Sequence, residues 1–263
     1  QDHKEDCLLV CDQDYADTSN GSALIRQAME RGCAVLLHNS NCPSVLEEIR
    51  STGDLSQKTR DMLEAQVLYR CLQKDIQRLA SLQPEADGLP NYVASAYQKV
   101  QDLRYGENWH QRAALYINDQ GLGLPAARKL NGREMSYNNM VDAETVLEML
   151  IDLSDYDGEA CNRPLSVIVK HANPCGVAYG TSLDEAYRLS FATDPKSAFG
   201  GVIGFNRMVD VKTAQCIGDS FVEVLLAPGY EAEALRLLTE KKPNRRILDI
   251  GDLLQRKSEL YRG

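Results

Sequence analysis

The run Arg163-Pro164-Leu165-Ser166-Val167-Ile168-Val169-Lys170-His171-Ala172-Asn173-Pro174-Cys175-Gly176, with Asp194-Pro195-Lys196-Ser197-Ala198-Phe199-Gly200-Gly201-Val202-Ile203-Gly204-Phe205 after it, decides how this chain is read. Leu165 to Val169 is apolar, rich in β-branched residues, and bounded by Pro164 and the polar pair Lys170–His171. Those features predict a buried strand ending in two titratable side chains. Asn173-Pro174-Cys175-Gly176 is expected to break the chain into a loop. Ser182 with Glu185 three residues later has the spacing of a capping box, so a helix is expected up to Asp194-Pro195. Gly200-Gly201 then lead into a second apolar strand, Val202 to Phe205. Adjacent strand residues point to opposite faces, so Lys170 and His171 share one site only if the strand bulges or bends there.

Outward from this stretch the pattern keeps alternating. A helix is expected over 142–153, then helices at 209–217 and 230–240, strands at 222–227 and 246–250, and a final helix running towards Tyr261. From residue 142 onward helix and strand take turns, the sign of an α/β fold with a mainly parallel or mixed sheet and helices packed on it. In such sheets ligands lie beyond the carboxyl ends of the strands, where Lys170 and His171 stand.

Towards the N-terminus, Cys7 to Cys11 reads as a strand, 22–31 as a helix closed by Gly32, and 44–50 as a short helix. Ala34 to Leu37 is a short apolar piece that periodicity assigns to neither class. Residues 55–82 carry a long helical pattern, with Met62, Leu63, Val67, Leu68, Cys71, Leu72, Ile76 and Leu79 at three- and four-residue steps. Residues 84–90, with two prolines, acids and Gly88, are the clearest linker, which places 1–83 and 91–263 in separate domains. Beyond it, 92–101 reads as a short helix, 103–111 as a polar loop, 113–117 as a strand and 130–139 as a second polar loop.

The net charge of −9 and the absence of a basic tract argue against nucleic-acid binding, though an acidic chain can still hold an anion in a local basic pocket. The apolar runs are too short for a membrane span. Residues 1–6 have neither the basic start nor the apolar core of a signal peptide. Eight cysteines are scattered without a C-x-x-C pair, so reduced thiols in a cytoplasmic protein are expected.

His171 and Pro174-Cys175 invite comparison with the zinc deaminase signature, but position 173 is Asn rather than Glu and position 178 is Ala rather than Cys. No metal site is expected, and Cys175 reads as a small buried residue. There is no G-x-x-x-x-G-K-[ST] loop, and Gly121-Leu122-Gly123 lacks the third glycine of a dinucleotide fingerprint. Taken singly, Phe199-Gly200-Gly201 reads as a turn, Asn138-Asn139 as capping chemistry, and Tyr105 and Trp109 as packing or as a ring-stacking wall.

The ordered series is more specific than its members. Arg104-Tyr105-Gly106-Glu107-Asn108-x-His110-Gln111, Asn131-Gly132, Ser136-Tyr137-Asn138-Asn139 with Asp142-Ala143, Lys170-His171-x-Asn173-Pro174-Cys175-Gly176, Asp194-Pro195-x-Ser197-Ala198-Phe199-Gly200-Gly201 and Phe221-Val222-Glu223-Val224 with Ala227-Pro228 follow one another. This series closely resembles the transformylase part of the AICAR formyltransferase/IMP cyclohydrolase (PurH-type) family over residues 100–240. Residues 1–80 resemble more faintly the tail of the cyclohydrolase domain and a helical connector.

The resemblance implies a cytidine-deaminase-like subdomain without zinc, and transfer of formyl from 10-formyltetrahydrofolate to the 5-amino group of AICAR, with no tightly bound cofactor. By motif, His171 is the proton acceptor for the attacking amine, and Lys170 stabilises developing charge or assists the folate leaving group. Arg104, Tyr105, Asn139, Phe199, Gly200 and Glu223 match AICAR-contacting positions. The family has two deaminase-like halves and active sites across a homodimer interface. This chain matches the first half, so a second half or a complementing chain is expected to complete the site. Trp109 stands where the family usually has Pro, residues 16–42 read as an insertion, and Gln1 falls where the cyclohydrolase's catalytic Lys would align, so cyclisation is not expected. The competing reading is a non-catalytic AICAR-binding or assembly module derived from the same family.

Overall fold

The computed structural model describes residues 7–12, 16–37, 42–82, 90–118, 121, 123–154, 163–218, 220–240 and 242–255. The chain divides after Ala96 into two compact units. Residues 84–89 of the expected linker lie outside the described residues.

In the first unit, strand β1 (Leu8–Cys11), helix α1 (Ser19–Glu30) and strand β2 (Ala34–Leu37) form a β-α-β crossover. The strands pair in parallel from Leu8↔Ala34 to Cys11↔Leu37. All four β2 residues are buried, so the piece that periodicity left unassigned is a core strand. The Thr18 side chain caps α1 by accepting from the Gly21 amide at 3.0 Å. Helix α2 (Cys42–Thr52) follows. Helix α3 (Gln57–Ser81), capped by Ser56, buries Leu63, Val67 and Cys71 at four-residue spacing, the stripe that the pattern predicted. Parallel pairing brings Cys7 and Cys33 opposite each other one register step before Leu8↔Ala34, with Cα atoms 4.9 Å apart, and their sulfurs are joined. This departs from the expectation of reduced thiols throughout. Two cysteines 26 residues apart gave no sequence signal, because only the strand register makes them neighbours.

The second unit opens with strands β3 (Tyr97–Asp102) and β4 (Ala114–Asn118), an antiparallel pair with an irregularity between Lys99 and Gln101. The helix expected over 92–101 is therefore not formed, because pairing with β4 outweighs weak local propensity. The main sheet holds β5 (Arg128–Asn131), β6 (Leu165–Lys170), β7 (Asn173–Tyr179), β8 (Val202–Phe205), β9 (Val224–Ala227) and β10 (Arg246–Asp249) in the order β5-β10-β9-β8-β6-β7. Its helices are α4 (Tyr137–Ser154), α5 (Leu183–Thr193), α6 (Pro195–Ala198), α7 (Val211–Ile217) and α8 (Ala232–Glu240). β8–β9 and β9–β10 are parallel, whereas β5–β10, β6–β8 and β6–β7 are antiparallel. The fold is α/β as expected, and of the two expected arrangements, mainly parallel or mixed, the sheet takes the mixed one. The segment read as a loop at Asn173 begins β7, because a two-residue turn at His171–Ala172 needs no crossover.

Alternation along the strands splits the core into two faces. Val167, Val169, Val202, Val224, Leu226 and Leu248 pack with Ala143, Val146, Leu147 and Leu150 of α4. Ile168, Ile203, Phe205, Leu225, Ala227 and Ile247 pack on the other side with Leu183 and Tyr187 of α5, Ala214 and Ile217 of α7, and Ala234 and Leu238 of α8. Each Val, Leu, Ile or Phe among them contributes roughly 1.5–3 kcal/mol relative to exposure. The expected capping box is displaced by one residue: Glu185 accepts from the backbone and hydroxyl of Thr181, while the Ser182 hydroxyl donates to Asp184. Of the expected C-terminal helix, only a short 3-10 turn, Leu253–Gln255, falls within the described residues. No helix among the described residues is long and apolar enough to cross a membrane.

On α4, the half-buried Glu144 carboxylate accepts from the Leu124 amide at 3.1 Å. Burial pushes its pKa above the ordinary 4.5, with the nearby Glu148 charge adding to the rise. Raised folded-state affinity for the proton means stability is lost as pH rises from that ordinary value through the raised one. Glu144→Gln keeps the acceptor and removes the charge. It should therefore raise the urea midpoint at pH 7 and leave it unchanged below the ordinary glutamate pKa; equal midpoints at neutral pH would contradict this.

Candidate functional site

The site is assembled on the β6–β7 hairpin. Register shifts between Ile168 and Val169, and the strands close at Lys170↔Asn173. His171 and Ala172 both take φ of 55°, the left-handed sign that two-residue hairpin turns require and that non-glycine residues adopt at a cost. The turn is held on both sides: the Asn173 side chain donates to the His171 carbonyl at 2.8 Å, and the Ala172 amide donates to Asp142 of α4 at 2.7 Å. This bend resolves the parity objection, and Lys170 and His171 line one cleft.

The neighbouring wall comes from the loop between α6 and β8. Asp194 caps α6 by accepting from the Ser197 amide at 3.1 Å and its hydroxyl at 2.6 Å, and these bonds hold its carboxyl below the usual range. The Lys170 ammonium donates to the Phe199 carbonyl at 2.8 Å. Gly200, at φ of 73°, donates its amide to the Phe221 carbonyl at 2.9 Å. The Phe199 ring is 60% exposed and stacks on Phe221 at 5.2 Å. Gly200 and Phe221 line the cleft; the Phe199 side chain is not among its lining groups.

The opposite wall is built around a buried arginine at the start of β10. Arg246 donates twice to the Glu134 carbonyl, each at 3.1 Å, and once to the Glu223 carboxylate at 2.7 Å. Its side chain is only 7% exposed, so Glu223 is presented to the cleft against a fixed charge. Arg245, also buried, donates to the carbonyls of Leu238, Gly218 and Ser220. Arg133 reaches Asn244 at 2.8 Å.

The floor is the start of α4 and the loop pairing with it. The Arg104 amide donates to Met135 and the Tyr137 amide to Tyr105, each at 3.1 Å. Asn138 donates to the Glu107 carbonyl at 3.2 Å. The Asn139 side-chain oxygen accepts from the Ser136 amide and hydroxyl, so Asn139 both caps the helix start and lines the cleft. Trp109, 85% exposed at the loop tip with its ring edge against His110, belongs to no core cluster among the described residues.

Together these walls enclose about 600 Å³. Of the expected site residues, the cleft brings together Lys170, His171, Arg104, Tyr105, Asn139, Gly200 and Glu223, and leaves out the Phe199 ring. Arg133, Phe221, Lys242, Asn244, Arg245 and Arg246 line it as well, and sequence reasoning gave them no part. The signal available for the last two was a pair of arginines opening an apolar strand. Among the described lining residues, six lysines and arginines and one histidine face two carboxylates, Asp142 and Glu223. In a chain of net charge −9, that local excess suits an anionic ligand. Among the described residues no group of three or more His, Cys, Asp or Glu side chains could hold a metal ion. Cys175 is half-buried, and burial raises its thiol pKa.

A family model described as AICARFT/IMPCHase bienzyme matches residues 30–262. The bifunctional purine biosynthesis protein PurH of Acetivibrio thermocellus is 38% identical over 239 residues, covering 89% of this chain and 45% of that protein. PurH of Neisseria gonorrhoeae (strain NCCP11945) is 41% identical over 246 residues, covering 88% and 45%. PurH of Persephonella marina is 36% identical over 239 residues, covering 88% and 45%. The chain thus spans about half the length of the curated relatives it matches. Among solved structures, a putative formate dehydrogenase accessory protein from Desulfotalea psychrophila aligns at a TM-score of 0.33 and 7% identity, over 59% of this chain and 96% of its own.

Proposed function

This chain belongs to the AICARFT/IMPCHase bienzyme family, and from that premise we propose that its cleft binds AICAR and carries the proton-transfer pair for formylation of the nucleotide. The reactants are AICAR and 10-formyltetrahydrofolate, the second a co-substrate rather than a resident cofactor. The observation that carries this reading is the turn that brings Lys170 and His171 into one cation-lined cleft with Arg104, Tyr105, Asn139, Gly200 and Glu223. Phe199 contributes through its backbone carbonyl, which holds Lys170.

The 5-amino nitrogen of AICAR is conjugated with the imidazole carboxamide and is a poor nucleophile. It attacks the formyl carbon, a C–N bond forms, and the bond from that carbon to N10 of the folate breaks. His171 takes the proton that the amine loses, while Lys170 stabilises the charge that develops and assists departure of the folate nitrogen. That nitrogen takes up a proton in place of the formyl group, so that none is gained or lost overall. The cation-rich walls receive the nucleotide's phosphate.

We assign residues 1–83 to a cyclohydrolase-tail-like segment with a helical connector, and 91–263 to the first half of a cytidine-deaminase-like transformylase domain without zinc. Transfer is assigned to the assembled cytoplasmic enzyme, in which further chain or a partner subunit, as in a homodimer, completes the folate side. Support for this comes from the matched relatives, of whose length this chain covers 45%.

Calorimetric titration with AICAR tests the reading. Saturable binding is expected, weakened about tenfold or more by Arg104→Ala, as loss of a charged hydrogen bond implies. Heat that does not saturate, or binding indifferent to Arg104, would remove the assignment. Saturable binding of AICAR by an assembled enzyme that never turns over would favour a binding module instead.

A further inference from the structure

We infer that Asp142 is a positioning residue for the catalytic turn: its carboxylate, accepting the Ala172 amide, holds His171 in the cleft. The inference rests on the formyl-transfer reading above, but its geometry does not. The Ala172 amide donates to Asp142 Oδ1 at 2.7 Å, the bond that links the hairpin tip to α4. His171 and Ala172 both lie at φ of 55°, and neither is glycine. Backbone of that kind costs on the order of 1–3 kcal/mol per residue and persists only where surrounding bonds fix it. The Asn173 side chain closes the turn from within the hairpin, on the His171 carbonyl. Asp142 anchors it from outside, on a helix whose Ala143, Val146, Leu147 and Leu150 are buried against the sheet. A rigid helix therefore sets where the turn sits, and with it where His171 points.

Asp142 is partly exposed at the cleft, and Ala favours helix, so Asp142→Ala has no reason to unfold α4. In the assembled enzyme this variant should lose about 10–100-fold in kcat, the range for a misplaced reacting group. KM for AICAR should stay within about threefold, since a positioning group does not hold the nucleotide. Asp142→Asn keeps an oxygen acceptor without the charge and should restore most of the lost kcat.

Amide hydrogen exchange supplies a readout independent of turnover. The Ala172 amide should be protected in the unaltered protein, exchange faster in Asp142→Ala, and regain protection in Asp142→Asn, with the melting midpoint little changed. Unaltered exchange at Ala172 in Asp142→Ala overturns the inference. So does an Asn variant as slow as the Ala variant, which would make the charge rather than the bond responsible, or a KM rise that matches the fall in kcat/KM. If the enzyme proves inactive towards AICAR, the formyl-transfer reading fails, and exchange at Ala172 alone decides the role of Asp142.

Discussion

His171→Ala is expected to lower formyl transfer about 10²–10⁴-fold in kcat, the usual contribution of a positioned general base, while AICAR affinity stays within a few-fold. Once it has attacked the formyl carbon, the amine nitrogen cannot become a neutral amide without a group to take its proton. His171 is the imidazole that the turn places in the cleft beside Lys170. Because position 171 lies at φ of 55°, the substitution also bears on the turn itself. Asn accepts left-handed backbone more readily than most residues, so His171→Asn preserves the turn and still removes the base. Both variants should therefore be similarly slow. Recovery of turnover by Asn would assign the loss to backbone strain.

Gly176→Ala should lower stability by about 3 kcal/mol, at the upper end of overpacking costs, and the melting midpoint by roughly 10 °C. Gly176 lies on β7 opposite Ile168, and a methyl there would run into the carbonyl oxygen and carbon of Ser190 on α5. The obstacle is backbone, which cannot rotate aside as a side chain can. Ser190 is also fixed, its hydroxyl donating to the Tyr187 carbonyl at 3.0 Å and lying 2.9 Å from the Ser166 hydroxyl. Moving the helix or the strand disturbs the hairpin whose tip carries Lys170 and His171, so activity should fall with stability. A midpoint within a degree or two of the unaltered protein would show that α5 yields more easily than this packing implies.

How much was legible depended on whether a feature was local. Leu165 to Lys170 reads as a strand because its β-branched run is bounded on both sides, and α3 because its stripe is long enough for periodicity to decide. β7 was hidden by Asn173-Pro174, which reads as a breaker. β7 is the last strand of its sheet, and an edge strand tolerates proline because the missing donor would face away from the ladder. β3 was read as helix, since its pairing with β4 is non-local. The antiparallel pairing of β6 with β7 was hidden in the same way: a two-residue connection and a longer one cannot be told apart until the turn at His171 is known.

The candidate site was half legible. Arg104, Tyr105, Asn139, Lys170, His171, Gly200 and Glu223 came from ordered motifs, and they meet in one cleft. Arg246 did not, because nothing local says that its guanidinium finds the Glu134 carbonyl and Glu223 in one place. Asp142 appeared in a motif without a role, since its bond to Ala172 spans 30 residues. The fate of Phe199 shows the converse. A residue matched by motif meets Lys170 through its carbonyl, while its ring rests on Phe221.

The most direct measurement is single-turnover transfer of an isotopically labelled formyl group from 10-formyltetrahydrofolate to saturating AICAR, run side by side on the assembled enzyme and its His171→Ala variant. The account predicts labelled formyl-AICAR from the first and about 10²–10⁴-fold slower appearance from the second, with nucleotide still bound. Equal rates from both would contradict it.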